Sequence, residues 1–180
     1  MRKFNAILVS IILILIIDHI IFASMHLLGT GANVFVPVAL FMLTLVLIHA
    51  IISLIITINA EKVGINTKAR YNKENEQFWL RRVSGLAIMV LAIMHAYLEA
   101  KNENGVPNVA RMPKIFEFTL PLLILSVGIH VFQNTRPLLI SLGIKKINLF
   151  EKIIKILVIM LTCLAMFSIV TFLFNKMKRG

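Results

Sequence analysis

Apolar residues along this chain come in five long runs that are separated by polar segments. The runs cover residues about 5–28, 36–60, 83–100, 115–135 and 153–175. Each run has, or nearly has, the ~20 residues that a helix needs to cross a bilayer. Helices are the only spans that such runs can form, because a lone strand leaves its backbone unpaired in lipid. The pattern predicts an all-α membrane protein with five transmembrane helices in one domain, residues 1–180.

The composition agrees with this pattern, and the sequence excludes several classes of function. The chain is 59% hydrophobic, and its net charge of +11 comes from residues that lie mostly between the apolar runs. A basic groove with interleaved aromatic residues is absent, so we expect no nucleic-acid partner. The sequence also has no dinucleotide fingerprint, nucleophile triad or phosphate loop, and therefore no flavin catalytic site is predicted in this chain.

The charged connections predict how the helices cross the membrane. Most of the 19 Lys and Arg residues belong to the N-terminus and to the second and fourth connections. Cytoplasmic loops carry such an excess of positive residues. We therefore expect a multi-pass protein of the cell membrane, with the N-terminus inside and the C-terminus outside, in contact with membrane lipid.

Histidines occupy four successive apolar runs. Of the five in the chain, His19 and His26 are in the first run, His49 in the second, His95 in the third and His130 in the fourth. An ionisable side chain inside a membrane helix is costly to place and usually marks a functional site. One such residue could be a packed, hydrogen-bonded histidine, but packing is a poor explanation for four helices in a row.

The depth of the histidines sorts them into two levels. Along a helix, His95 is ~20 Å from Arg82 and His19 is ~26 Å from Arg2, which places both in the outer half. His130 is ~9 Å from the inner boundary, and His49 is ~18 Å from the outer one, at mid-membrane or slightly inward. The depths therefore pair His19 with His95, and His49 with His130.

Two pairs at two levels match the needs of two haems stacked in a bundle of the first four helices. Each haem iron takes two axial imidazoles, and bundle cores hold such sites. His19 and His95 are the predicted ligands of an outer haem iron, and His49 and His130 those of an inner one. Four residues are candidates for the haem environment: Arg81, Arg82, Ser84 and Arg136.

Three further side chains are candidates for a quinone or proton site. Asp18 is a carboxylate in mid-helix beside a predicted ligand, and charged groups at such depth often carry protons. His26 and Glu99 lie near the outer boundary. Each also has a structural explanation, as an interfacial residue or as a group that orients an imidazole.

The residues around His95 resemble a known family. The Arg82-Val83-Ser84-Gly85 start, with the histidine about ten residues on, resembles the third helix of the five-helix, dihaem cytochrome b subunit of succinate:menaquinone oxidoreductases and quinol:fumarate reductases. The runs around His49 and His130 and the Ile17-Asp18-His19 segment are similar to the other ligand-bearing helices. Asp18 stands where a neutral polar residue is more usual in the family.

This resemblance implies a specific function. It implies two haems b, with the pairing already inferred from depth, and menaquinone as the quinone substrate. It also implies an iron–sulfur subunit and an FAD flavoprotein subunit as partners at the cytoplasmic face, with a dimer of the whole complex left open. The chain would then be an electron-transfer and quinone-reactive membrane anchor. The alternatives are a cytochrome b of a hydrogenase or formate dehydrogenase, and a small transporter component without a cofactor.

Overall fold

In a computed structural model the chain forms five α-helices, and the structure describes residues 2–30, 36–64, 72–100 and 114–179. The helices are α1 (Arg2–Leu27), α2 (Val36–Gly64), α3 (Asn72–Ala100), α4 (Lys114–Leu142) and α5 (Ile147–Arg179). All five are long and apolar enough to cross a membrane. The prediction of an all-α protein with five membrane spans is therefore confirmed. Residues 31–35, 65–71 and 101–113, which belong to the first three predicted connections, lie outside the described residues.

The helices are longer than the apolar runs that predict them. α3 begins at Asn72 instead of residue 83, and α5 begins at Ile147 instead of residue 153. Hydropathy marks only the part of a helix that lipid surrounds, whereas backbone hydrogen bonding continues into the polar flanks. α4 also continues through Pro137. That proline removes a single backbone donor, and the 2% exposed Leu139 anchors the turn that follows it.

Glycines in the left-handed conformation end α1 and α4. Gly29 has φ of 78° and Gly143 has φ of 75°. After each glycine the next amide donates a hydrogen bond to the carbonyl five residues earlier, from Thr30 N to Met25 O and from Ile144 N to Leu139 O. This pairing closes the last turn of the helix in a Schellman motif, which only a residue without a Cβ adopts without strain. The second motif ends α4 and leads into the short turn that precedes α5.

The first four helices surround a common interior in an up-and-down arrangement. α1 packs beside α2 and α4, and α3 packs beside the same two helices. Within the described residues, α1 and α3 have no Cα atoms within 8 Å of each other, and neither have α2 and α4. These two pairs therefore lie on the diagonals of a four-helix bundle, so a side chain that points inward meets one from the opposite helix.

The fifth helix supports the bundle from one side by packing on α1 and α4. Small residues allow α4 and α5 to approach closely: a Cβ added at Gly128 would lie 2.8 Å from the Thr162 hydroxyl oxygen. Thr135 and Ser168 are 1% and 0% exposed, and each donates its hydroxyl to a carbonyl of its own helix. Hydroxyls satisfied in this way bring no unpaired polar group into the contact.

Ion pairs and apolar contacts define the two ends of the molecule. The end where α1, α3 and α5 begin is called the basic end, and it holds Arg81, Arg82, Lys145 and Lys146. At the opposite end Lys176 of α5 pairs with Glu117 of α4 at 2.8 Å. Phe172 is buried there against Leu27, Leu98 and Leu120 of three other helices. Large apolar side chains are exposed on every helix, as expected for surfaces that face lipid.

Candidate functional site

His19 and His95 meet across the α1–α3 diagonal. Their ring centroids are 6.3 Å apart and the ring planes are nearly perpendicular, at 84°. If one metal ion lay between two imidazoles at ~2.0–2.1 Å from each nitrogen, the centroids would be about 6.3 Å apart. The observed spacing thus suits a bridging metal ion as well as an edge-to-face contact of the two rings.

His130 is oriented by two residues at the start of the α3 membrane span. Its Nδ1 lies 3.1 Å from the Ser84 hydroxyl oxygen, and that hydroxyl donates its own proton to the Leu80 carbonyl at 2.7 Å. Ser84 therefore accepts a hydrogen bond from His130 Nδ1–H, which leaves the lone pair of Nε2 for another partner. A Cβ at Gly85 would lie 3.2 Å from His130 Cε1, so the ring rests directly against the α3 backbone.

His49 shows the same arrangement with a partner from α1. Its Nδ1 lies 2.9 Å from Asn5 Oδ1, an oxygen that can only accept, so Nδ1 carries the proton. The Ser53 hydroxyl is 3.5 Å from Nε2, which is too long for a strong hydrogen bond. His49 and His130 are close enough for their charges to interact. We call these two residues the second histidine pair, because they belong to the diagonally opposite helices α2 and α4.

The two histidine pairs lie at different levels of the bundle. Asn5, which contacts the second pair, precedes His19 by fourteen residues, and Ser84 precedes His95 by eleven. These separations correspond to ~21 Å and ~16 Å along the helix axes. The pair His49–His130 is the one nearer the basic end.

The donor set fits a metal held by a macrocycle. A metal-ligating histidine usually donates its other ring N–H to a fixed acceptor, as His49 and His130 both do. Within the described residues no group of three or more His, Cys, Asp or Glu side chains could hold a metal ion together. A haem needs only two side chains because the porphyrin supplies the other ligands.

Comparison with protein families, with curated proteins and with solved structures gives no match to this chain.

The arginines proposed for the haem environment take three different positions. Arg81 lies close enough to His130 for their charges to interact, and its buried Nε has no hydrogen-bond partner among the described residues. Arg82 lies over the Phe78 ring, with its guanidinium carbon 3.6 Å from the ring centroid. Arg136 is 59% exposed and pairs with Glu151 of α5 at 3.2 Å. Of these three arginines, Arg81 is therefore the one with a described link to a histidine pair.

The three candidates for a quinone or proton site are spread over two helices. Asp18 is exposed on the outer surface of α1, and its charge reaches His19. His26 is half-buried in the last turn of α1. Glu99 belongs to the last turn of α3, and its side chain lies outside the described part of the structure. Asp18 is thus the candidate with a described link to a histidine pair.

Sequence reasoning missed Asn5 and the role of Gly85. Asn5 follows two basic residues at the start of α1 and reads as part of the membrane boundary. Its side-chain amide, in the first turns of an apolar helix, could have indicated a contact with another helix, because a buried amide needs a hydrogen-bond partner. Ser84 and Gly85 belong to the segment that carries the family resemblance. Their contact with a histidine on α4 can be seen only in the folded bundle.

Replacement of Ser84 with alanine tests the orientation of His130. Loss of a hydrogen bond to a metal-ligating histidine typically weakens metal binding ~10–100-fold. If the two histidine pairs hold haems, we expect Ser84→Ala to accelerate the loss of one haem to an apo-globin acceptor by about tenfold, with the other haem unchanged. Ser10→Ala is the matched control, since the partner of Ser10 among the described residues is the carbonyl of Ala6 in its own helix. Equal rates in both variants would contradict the assignment.

Proposed function

We propose that this chain is the dihaem membrane-anchor subunit of a succinate dehydrogenase or fumarate reductase. In this role it carries electrons between menaquinone in the membrane on one side and an iron–sulfur subunit and a flavoprotein subunit on the other. The observation that carries the proposal is the presence of two histidine pairs at two levels, each joining diagonally opposite helices. Two stacked haems require histidine pairs at two levels, and ordinary helix packing does not require them.

The chain's own residues would hold and tune the two groups. His19 and His95 would ligate the haem farther from the basic end, and His49 and His130 the nearer one. Haem b supplies a reversible one-electron iron centre when it is bound. Asn5 and Ser84 would keep Nδ1 protonated on their histidines, which leaves the Nε2 lone pair to hold the haem and makes the imidazole more basic. The apolar bundle keeps water away from both sites.

Arg81 would neutralise an acidic substituent of the group near the basic end. Its buried Nε has no hydrogen-bond partner among the described side chains and backbone. A buried N–H donor without an acceptor is costly, and a carboxylate such as a haem propionate would satisfy it. The exposed Arg136, which is paired with Glu151, is less suited to this role.

The positive residues support an orientation for the complex. With the basic end in the cytoplasm, the helix ends obey the positive-inside rule. The N-terminus would then lie inside and the C-terminus outside. The partner subunits would dock at the basic end, close to the His49–His130 pair. Electrons would pass between that pair and the one near the opposite end.

Asp18 is the residue best suited to meet a quinone. It is exposed on the side of α1 from which a lipid-soluble molecule arrives, and its charge reaches His19. A carboxylate there would accept a proton from a quinol as the electrons leave toward the nearby histidine pair. His26, eight residues further along α1, and Glu99 stay predictions for the same site.

The test of the proposal is a reduced-minus-oxidised visible spectrum of the purified full-length protein, with a pyridine haemochrome count. We expect about two haems b per chain, because each histidine pair would hold one haem. A folded, colourless preparation would contradict the proposal and favour a cofactor-free transporter component. Haem reduction by a menaquinol analogue tests the quinone part. Asp18→Asn should slow that reduction about tenfold or more at unchanged haem content.

A further inference from the structure

The turn between α4 and α5 concentrates positive charge that the described residues neutralise only in part. Between residues 136 and 155 there are five basic residues and one acidic residue. The basic residues are Arg136, Lys145, Lys146, Lys152 and Lys155. Glu151 is the only carboxylate, and both of its oxygens are already engaged, one with Arg136 at 3.2 Å and the other with Lys155 at 2.6 Å. Three exposed lysines therefore remain without an acidic partner among the described residues: Lys145, Lys146 and Lys152.

An apolar stripe continues from these lysines toward the middle of the membrane span. On α5, Ile156 and Ile159 follow Lys152 at helical spacing, and Met160 lies beside them; all three are exposed. Ile156 and Ile159 lie ~6 Å and ~10 Å deeper along the helix than Lys152. Phe150 and Ile153 add exposed apolar surface at the level of the lysines. The surface is thus cationic at the end of the helix and apolar directly below.

We infer that this surface, the Lys152 site, binds an anionic phospholipid of the surrounding membrane. The lysines match the charge of the phosphodiester headgroup, and the isoleucine stripe accommodates an acyl chain. Basic pockets at the ends of membrane helices bind such headgroups. A water-soluble acidic partner would match the lysines but leave the adjoining apolar side chains uncovered. The amphipathic character of the surface therefore favours a lipid, and the inference does not depend on the haems.

Lipid retention by the full-length protein in native mass spectrometry tests this inference. The protein is mixed in detergent with equal amounts of phosphatidylglycerol and phosphatidylcholine. We expect preferential retention of phosphatidylglycerol. The double variant Lys145→Gln/Lys152→Gln should lose about 30-fold in phosphatidylglycerol affinity, since each lysine near a membrane surface contributes about fivefold. The control Lys3→Gln/Lys178→Gln removes the same charge from two other exposed lysines and should retain the lipid.

The other outcomes overturn the inference. Equal losses in the two double variants would show that overall charge, and not this surface, attracts the lipid. Equal retention of phosphatidylcholine would remove the role of the headgroup charge. If inorganic phosphate in excess displaced phosphatidylglycerol and was retained in its place, the surface would be a site for free phosphate. Unchanged retention by Lys145→Gln/Lys152→Gln would show that these lysines do not bind the lipid and instead serve membrane topology or a protein partner.

Discussion

Removal of any single paired histidine is expected to halve the haem content of the protein. The variants are His19→Ala, His95→Ala, His49→Ala and His130→Ala. Each should retain about one haem b per chain, because the altered pair would no longer hold its haem while the other pair is intact. His19→Ala and His95→Ala should lose the same spectral component, since their rings meet across one diagonal. His49→Ala and His130→Ala should lose the other component. Visible and paramagnetic resonance spectra of the purified variants distinguish the two.

The fifth histidine is the internal control for that experiment. His26 lies seven residues beyond His19, on the same face of α1 but in the last helical turn. Since His19 is the residue that meets His95, His26→Ala should keep both haems. Loss of a haem in His26→Ala together with full content in His19→Ala would show that the α1 ligand is wrongly assigned. Equal spectra for all four paired-histidine variants would contradict the pairing.

Substitution of Gly128 should destabilise the contact between α4 and α5. A Cβ there would lie 2.8 Å from the Thr162 hydroxyl oxygen, which is bonded to the Val158 carbonyl at 2.8 Å and so has little freedom to move. Overpacking of this kind costs about 1–3 kcal/mol. We expect Gly128→Ala to lower the free energy of unfolding by that amount, and Gly128→Val to lower it further. Denaturant or thermal unfolding in detergent micelles measures both.

The direction of the Gly128 effect makes the prediction specific. In the interior of an ordinary helix, alanine is more stabilising than glycine by roughly 0.5–1 kcal/mol. A loss of stability in Gly128→Ala therefore reports the contact with α5 rather than helix propensity. Thr162→Ala removes the hydroxyl that the new methyl would meet, so the double variant should recover most of the loss. If Gly128→Ala were stabilising in the wild-type background, the close approach of α4 and α5 would be wrong.

Sequence reasoning was most effective where position along a helix decides the outcome. The number of helices follows from the apolar runs, because a bilayer requires a minimum length of apolar helix. The levels of the histidines follow from residue counting, because each residue adds ~1.5 Å to a helix. The structure brings His19 to His95, and His49 to the vicinity of His130. Their role as iron ligands stays a prediction.

The neighbours of each side chain could not be predicted in the same way. Arg136 and Arg81 look alike in the sequence, as basic residues at a membrane boundary. In the structure, Arg136 is exposed and paired with Glu151, whereas Arg81 has its Nε buried. The sequence predicts Ser84 only as part of a haem environment, and in the structure its hydroxyl accepts a hydrogen bond from His130. These contacts join different helices, so they depend on how the helices are rotated and arranged.

The amino-acid pattern of this protein determines the number of spans, their approximate bounds and the depth of each polar group, since all three depend on distance along one helix. Only the tertiary structure decides that α1 faces α3 diagonally, that Asn5 contacts His49 and that Asp18 points outward. The physical reason is the solvent. A helix in lipid is apolar on its buried face and on its outer face alike, so its sequence carries little of the amphipathic signal that orients a helix in a soluble protein. Rotation about the helix axis is then decided by packing against the neighbouring helices.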